Sequence, residues 1–300
     1  MIYDDLVTIC VEQGIKTYKK ALNDIIQKMY IYKGAVTLYK NFFEYIDKTE
    51  CFVFSRKKFE YADLFPIAYI EARFNLKKSI IPIKHLIIDE MQDYSSVCFE
   101  LINLVYDCNK TILGDIAQSI SGITNTVSGI ASCFEDVQVI EINKSYRSTY
   151  EIIEFTKSIK PELKEIVSVA KHGEEVMCIS YKDIVKQIHK AIDYAKKNNL
   201  KSIGIICKNT TEAKKLYEKL KGKVDDVSLI EEGLSTMAVI STVQFSKGLE
   251  FDYVVIVDAD TENYCTDADR DLLYVACTRA MHKLELLYLN ELTKYVQLNK

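Results

Sequence analysis

Short apolar runs bounded by charged or turn-forming residues recur along the 300-residue chain, and between them the apolar positions fall at helical spacing. Such runs read as buried strands of a parallel sheet, and the stretches between them as the helices that cover it. The runs are Leu86 to Ile88 in HLIIDEMQD, Lys110 to Gly114 in KTILGD, Val137 to Ile142, Glu175 to Tyr181, Ser202 to Cys207, Met237 to Val243, and Tyr253 to Val257 in YVVIVD. Helices are predicted from about Ser95 to Tyr106, Ser148 to Ile159, Ile184 to Ala195, Thr211 to Leu220 and Asp267 to His282. The third of these puts Ile184, Val185, Ile188, Ala191, Ile192 and Ala195 on one face. For the helix after NKSYRS, Ser148 is the predicted N-cap and Glu151 completes a capping box. Ahead of the first strand, residues 1 to 48 pattern as amphipathic helices broken near Gly34, and residues 58 to 79 as helix that Pro66 interrupts or begins. The strand and helix alternation predicts an α/β protein, with a second α/β unit starting after Pro161.

Composition narrows the class without naming a function. The length suits about two domains, and 48% hydrophobic with 27% charged residues is globular. A formal net charge of −4 exerts no overall pull on nucleic acid, so any such binding rests on local basic clusters. The nine cysteines form no CxxC pair, and several sit in apolar runs, which reads as reduced core residues of an intracellular protein. The first residues are acidic where a signal peptide is basic, and no apolar run approaches membrane-spanning length; a cytoplasmic, soluble chain without membrane contact is expected.

The candidate chemistry clusters at predicted strand ends, where open α/β sheets bind ligands. Asp89 and Glu90 follow the first strand. One carboxylate there can hold Mg²⁺ while the other orients and deprotonates an attacking water, although a solvated acidic turn has the same appearance. Asp115 follows the second strand, and Gln118 three residues on can reach a phosphate or the water with its amide. Arg147 suits neutralisation of charge on a transferred phosphoryl group or a plain surface role, and Tyr146 suits base stacking or core packing. Lys247 and Gly248 pair a cation with a flexible backbone, fit for a phosphate contact; Glu250 can hydrogen-bond a ribose. Arg279 falls near the end of the last predicted helix, where it also complements the helix dipole. No GxxxxGK[ST] phosphate-binding loop occurs in the 300 residues; the string around Gly14 lacks the first glycine and the spacing.

In order, DEMQD, GDIAQ, NKSYRS, STVQFSKGLEF and LLYVACTRA resemble motifs II to VI of the superfamily 1 helicases of the UvrD and Rep type. NKSYRSTYEIIEFTKSI and ACTRAMHKL are most similar to the HelD branch, which acts on RNA polymerase. The resemblance implies RecA-like parallel sheets flanked by helices, with ATP and Mg²⁺ as cofactors. It implies Asp89 for Mg²⁺, Glu90 as general base, Gln118 as γ-phosphate sensor and Tyr146 stacked on adenine. Arg147 and Arg279 would be arginine fingers, Glu250 a ribose contact, and Thr242, Lys247 and Gly248 nucleic-acid contacts.

The departures shape the functional expectation. The chain has no tryptophan, and the run after GDIAQ, Ser121 to Thr124, lacks the aromatic and basic residues that stack on single-stranded DNA in UvrD-type enzymes. Gln244 stands where the family has histidine, and the interval from Arg147 to Lys247 is too short for a large inserted domain. We therefore expect residues 1 to 143 to form a partial RecA-like domain and residues 144 to 300 a second RecA-like domain. The expected function is the C-terminal motor portion of a HelD-like ATP-dependent DNA helicase or translocase, inactive alone for want of the Walker A loop. Single-stranded nucleic acid (bound weakly by the chain alone), RNA polymerase and an N-terminal fragment carrying Walker A are the expected partners. A catalytically silent module that docks on RNA polymerase or a P-loop chain, and a remnant of an interrupted gene, remain open alternatives.

Overall fold

The computed structural model describes residues 34–53, 58–75, 82–120, 122, 125–163, 165–169, 171–233 and 236–297. The predicted helices of residues 1 to 33 lie outside them. The chain divides into two compact units: Met1–Leu113 with Asn125–Val137, and Gly114–Thr124 with Gln138–Lys300.

The first unit holds α1 (Ala35–Tyr45), α2 (Tyr61–Asn75), β1 (His85–Ile88), α3 (Ser96–Val105), β2 (Asn109–Ile112) and α4 (Val127–Ala131). Gly34 precedes α1 at the predicted break. Ser95 caps α3, its Oγ accepting the Cys98 N–H at 3.4 Å. β1 and β2 pair in parallel from His85 opposite Asn109 to Ile88 opposite Ile112, and Ile88 packs with Phe99, Ile130 and Cys133. Two expectations are corrected here. β1 is not a fully buried strand: Ile88 is covered while Ile87 is 67% exposed, since only one face of this two-stranded ribbon packs on a helix. Pro66 lies well inside α2 and neither begins nor interrupts it; its missing N–H forfeits one bond near the first turn, and packing of α2 against α1 and α3 holds the rest.

In the second unit the pattern IGIIC gives β6 (Ile203–Cys207), buried at every position. Such a strand needs neighbours on both edges and cover on both faces. It has them: the sheet order is β5-β10-β9-β6-β8-β7, every pairing parallel, with β5 at Met177–Ser180, β7 at Val227–Leu229, β8 at Ala238–Thr242, β9 at Phe251–Ile256 and β10 at Ala280–Tyr288. Strand alternation sorts the side chains into two cores. Ile203, Ile205, Tyr253 and Val255 face α6 (Ile184–Lys197) and α7 (Thr210–Leu220), while Ile206, Val254 and Ile256 face α5 (Tyr150–Ile159) and α9 (Asp267–Cys277). The predicted face of α6 is the buried one: Ile184, Ile188, Ala191, Ile192 and Ala195, with Val185 partly covered. A short turn, α8 (Val243–Ser246), links β8 to β9 in place of the loop read there.

Three further readings are corrected. Val137 to Ile142 forms no strand; it finds no ladder partner among the described residues, and Ile140 and Ile142 stay exposed. The strand lies just beyond, as β3 (Lys144–Ser145) paired in parallel with β4 (Val167–Ser168). Ser148 is not the N-cap of α5. Thr149 occupies that position without a side-chain cap bond, and the expected capping pair is engaged elsewhere: the Ser148 hydroxyl donates to the Ala280 carbonyl at 2.6 Å and Glu151 accepts from the Gly173 N–H at 2.7 Å. The last helix ends at Cys277, not His282: the backbone turns at Thr278 and runs on as β10, whose mixed sequence AMHKLELLY conceals a strand with β9 on one side and β5 on the other. The cysteines are free among the described residues but not all core, Cys51 and Cys265 being exposed.

Gly204 of β6 meets the Phe251 ring so closely that a Cβ would lie 2.5 Å from Cδ2 and 2.8 Å from Cγ. Gly204→Ala is expected to cost about 1 to 3 kcal/mol in urea unfolding, with part of the loss recovered by adding Phe251→Leu; an unchanged midpoint would contradict this packing.

Candidate functional site

In the first unit, Ile88 ends β1 and the backbone changes hand at Glu90, φ 54°. This turn exposes the Asp89 carboxylate, whose Oδ1 accepts the Glu90 N–H at 2.8 Å. The buried Gln92 donates from Nε2 to Glu90 Oε2 at 2.5 Å, fixing that carboxylate beside the strand end. The Met91 N–H donates to the Leu113 carbonyl at 2.9 Å, so the turn is also tied to the end of β2. A hard oxygen donor held this way fits Mg²⁺, which commonly takes one or two carboxylates and completes its shell with water and phosphate oxygens. Among the described residues no group of three or more His, Cys, Asp or Glu is placed to hold a metal.

The other residues singled out in the sequence lie in the second unit. Asp115 begins the 3₁₀ turn Ile116–Gln118, its carboxylate accepting the Ala117 N–H and Gln118 Nε2, each at 2.9 Å. With its amide nitrogen so held, Gln118 presents Oε1, and Nη2 of Arg279 donates to it. Arg279 is 2% exposed. Its Nε donates to the Val275 carbonyl at 3.2 Å, Nη1 to the Leu249 carbonyl at 3.5 Å and Nη2 to Thr278 Oγ1 at 3.0 Å. The guanidinium thereby joins the 3₁₀ turn, the end of α9 and the segment leading into β9. A second cation holds the same turn: Lys160 Nζ donates to the Ala117 carbonyl at 2.6 Å, pairs with Asp271 at 2.7 Å and lies 4.8 Å from the Tyr274 ring centre. Lys160 carries no local sequence signal, since it simply follows a helix.

Arg147 and Glu250, read from the sequence as separate contacts, pair with each other, Nε to Oε1 at 2.7 Å, both side chains partly exposed. Tyr146 is 69% exposed. Tyr146, Arg147, Asp115 and Gln118 all border one cavity of about 380 Å³, whose wall is completed by Lys144, Lys157 and apolar residues including Ile153, Leu163 and Tyr274. Burial pushes the Tyr274 phenol well above its ordinary value, with Asp115 adding to the effect, so it stays a neutral hydroxyl. Such a cavity offers cations, hydroxyls and apolar surface together, a donor set suited to a nucleotide.

The remaining candidates follow β8. Thr242 is buried, and its Oγ1 accepts the Phe245 N–H at 3.2 Å as the cap of α8. Lys247 is half-buried, and Gly248 adopts φ 76° with open space where a Cβ would stand. That left-handed residue lets the chain return from α8 to β9.

A six-stranded parallel sheet covered by helices on both faces, with its polar residues in the turns at strand ends, places the second unit in the α/β class. Residues 237–287, from the start of β8 to near the end of β10, match the UvrD-like helicase C-terminal domain. The chain is 26% identical over 253 residues to a putative ATP-dependent DNA helicase, R568, of Acanthamoeba polyphaga mimivirus, covering 71% of this chain and 36% of that protein. It is 37% identical over 83 residues to the ATP-dependent DNA helicase srs2 of Schizosaccharomyces pombe, covering 26% of this chain and 9% of that one. It thus spans well under half the length of either relative. Among solved structures, the C-terminal domain of a possible DNA helicase from Lactobacillus plantarum WCFS1 matches at 30% identity and TM-score 0.44, over 50% of this chain and 91% of that one. The helicase of PRRSV matches at 16% identity and TM-score 0.39, over 70% and 35%. The chain carries a UvrD-like helicase C-terminal domain and is homologous to ATP-dependent DNA helicases. Among the described residues no helix is long and apolar enough to cross a membrane.

Arg279 and Arg147 should separate in a stability assay. Arg279→Ala would strand buried carbonyls and the Gln118 amide, a loss of about 3 kcal/mol or more, whereas Arg147→Ala removes a partly exposed pair and should cost less than about 1 kcal/mol. Equal losses in urea unfolding would contradict the two environments.

Proposed function

We propose that the chain is the C-terminal motor portion of a superfamily 1 ATP-dependent DNA helicase or translocase, HelD-like in its motif residues, built from a partial RecA-like domain over residues 1 to 143 and a second over residues 144 to 300. The observation that carries the reading is the meeting of Gln118, Tyr146 and Arg147 around one cavity, with Gln118 bonded to Arg279. These residues come from three sequence segments and carry the residue types that a nucleotide contact needs.

In this reading Asp89 would hold Mg²⁺, and Glu90, steadied by Gln92, would take the proton of the attacking water. ATP with Mg²⁺ supplies the phosphoryl group and its charge neutralisation. Tyr146 stacks on the base, and Arg147 exchanges Glu250 for a phosphate oxygen, leaving Glu250 to a ribose hydroxyl. Gln118 senses the terminal phosphate, and Arg279 conveys its position to α9 and β9 as well as adding positive charge. Lys247 and Gly248 form the nucleic-acid contact, which is weak and salt-dependent in the chain alone because phosphate contacts dominate it; Thr242, expected there as well, is buried with its hydroxyl engaged in capping α8 and supports that turn instead. The cellular setting is cytoplasmic, with RNA polymerase and a Walker A-bearing fragment as partners. A second reading is a silent module that docks on RNA polymerase or on a P-loop chain.

ATPase assays distinguish the two. The chain alone should show no turnover above background, and adding in trans an N-terminal fragment with the Walker A loop should restore it. Glu90→Gln should then abolish activity, and Arg147→Ala should lower kcat by about 10³ or more with less effect on nucleotide affinity. A folded, associated mixture that fails to hydrolyse ATP would favour the binding module. Activity in the chain alone that Glu90→Gln leaves intact would refute the mechanism.

A further inference from the structure

Three cationic side chains border the cavity of the second unit: Lys144, Arg147 and Lys157. Two are already neutralised, Arg147 by Glu250 and Lys157 by Glu154, each at 2.7 Å. Lys144 is exposed and makes no ion pair among the described residues. Its backbone is nevertheless fixed. In β3 it stands opposite Val167, and the strand is tied on either side by the Val167 N–H to the Asn143 carbonyl at 2.8 Å and the Val169 N–H to the Ser145 carbonyl at 2.9 Å. The Asp115 carboxylate on the same cavity is engaged by Ala117 and Gln118 and does not spend itself on this lysine.

An anion reaching this cavity meets one cation that it can bind without first breaking an internal pair. Binding at Arg147 or Lys157 requires displacing a carboxylate, which offsets much of the new attraction. The apolar wall and the exposed Tyr146 ring next to Lys144 add a surface for a flat, partly apolar group. A volume of about 380 Å³ accommodates a small ligand.

We propose that Lys144 is the phosphate-anchoring residue of this cavity and sets its preference for a nucleoside polyphosphate, with the phosphates on Lys144 and the base toward Tyr146. The inference rests on the nucleotide reading given above and adds to it a residue which the motif resemblance left without a role. It also gives an order of events: the ligand docks on the unpaired lysine, and its phosphates then compete with Glu250 for Arg147.

Titration calorimetry on the 300-residue chain tests this with three probes, ATP, inorganic tripolyphosphate and adenosine, on the wild type, Lys144→Ala and Lys144→Arg. Circular dichroism checks that the variants fold, as expected for an exposed side chain. Lys144→Ala should weaken ATP and tripolyphosphate about tenfold and leave adenosine unchanged, while Lys144→Arg retains the affinity. ATP binding that Lys144→Ala leaves unaltered would overturn the role of Lys144 while sparing the nucleotide reading. Binding of tripolyphosphate but not ATP, still dependent on Lys144, would refute the nucleotide reading and keep the anion anchor. Failure of the wild type to bind either anion would overturn the proposal.

Discussion

A buried guanidinium organises the second unit. Arg279 arrives where α9 ends and β10 begins, and a charge in that position is tolerable only if its donors are met, because removing a cation from water costs several kcal/mol. The carbonyls of Val275 and Leu249, the Thr278 hydroxyl and the Gln118 amide oxygen meet them. The four acceptors belong to three pieces of the chain, so satisfying one side chain fixes the helix end, the approach to β9 and the 3₁₀ turn together. Asp115 reinforces the arrangement from the far side by orienting Gln118, and Lys160 closes it through the Ala117 carbonyl.

Much of this fold is legible in the sequence because its strongest signals are local. IGIIC, YVVIV and the apolar face of α6 declare a buried parallel sheet with covering helices, and the structure has them nearly where the pattern puts them. What escapes the pattern depends on tertiary context. AMHKLELLY reads as a continuation of the preceding helix, yet β9 and β5 recruit it as a strand. VQVIEI has the alternation of a strand and finds no partner among the described residues. Ser148 has the right residue type and spacing for a cap but gives its hydroxyl to Ala280, which lies far off in sequence.

The candidate site divides in the same way. Residue types in motif order identify Asp89, Glu90, Gln118, Tyr146, Arg147, Glu250 and Arg279 as the ones to examine, and Gln118, Tyr146 and Arg147 do share a cavity. The sequence does not reveal that Arg147 and Glu250 neutralise each other, that Thr242 is spent on a helix cap, or that Lys160 clamps the turn Ile116–Gln118. Those facts come from where side chains end, which spacing along the chain leaves undetermined. They set the two arginines apart: Arg147 is a partly exposed member of an ion pair, and Arg279 is a buried structural tie.

Arg279 and Gln118 act as a bonded unit. A double-mutant cycle in urea unfolding measures this directly, using Gln118→Ala, Arg279→Met and the double variant, with methionine chosen to keep the packing volume. Coupling above about 1 kcal/mol is predicted, since residues in direct contact within one buried network are non-additive. Additivity within about 0.3 kcal/mol would show that the two side chains do not depend on each other and would contradict the account.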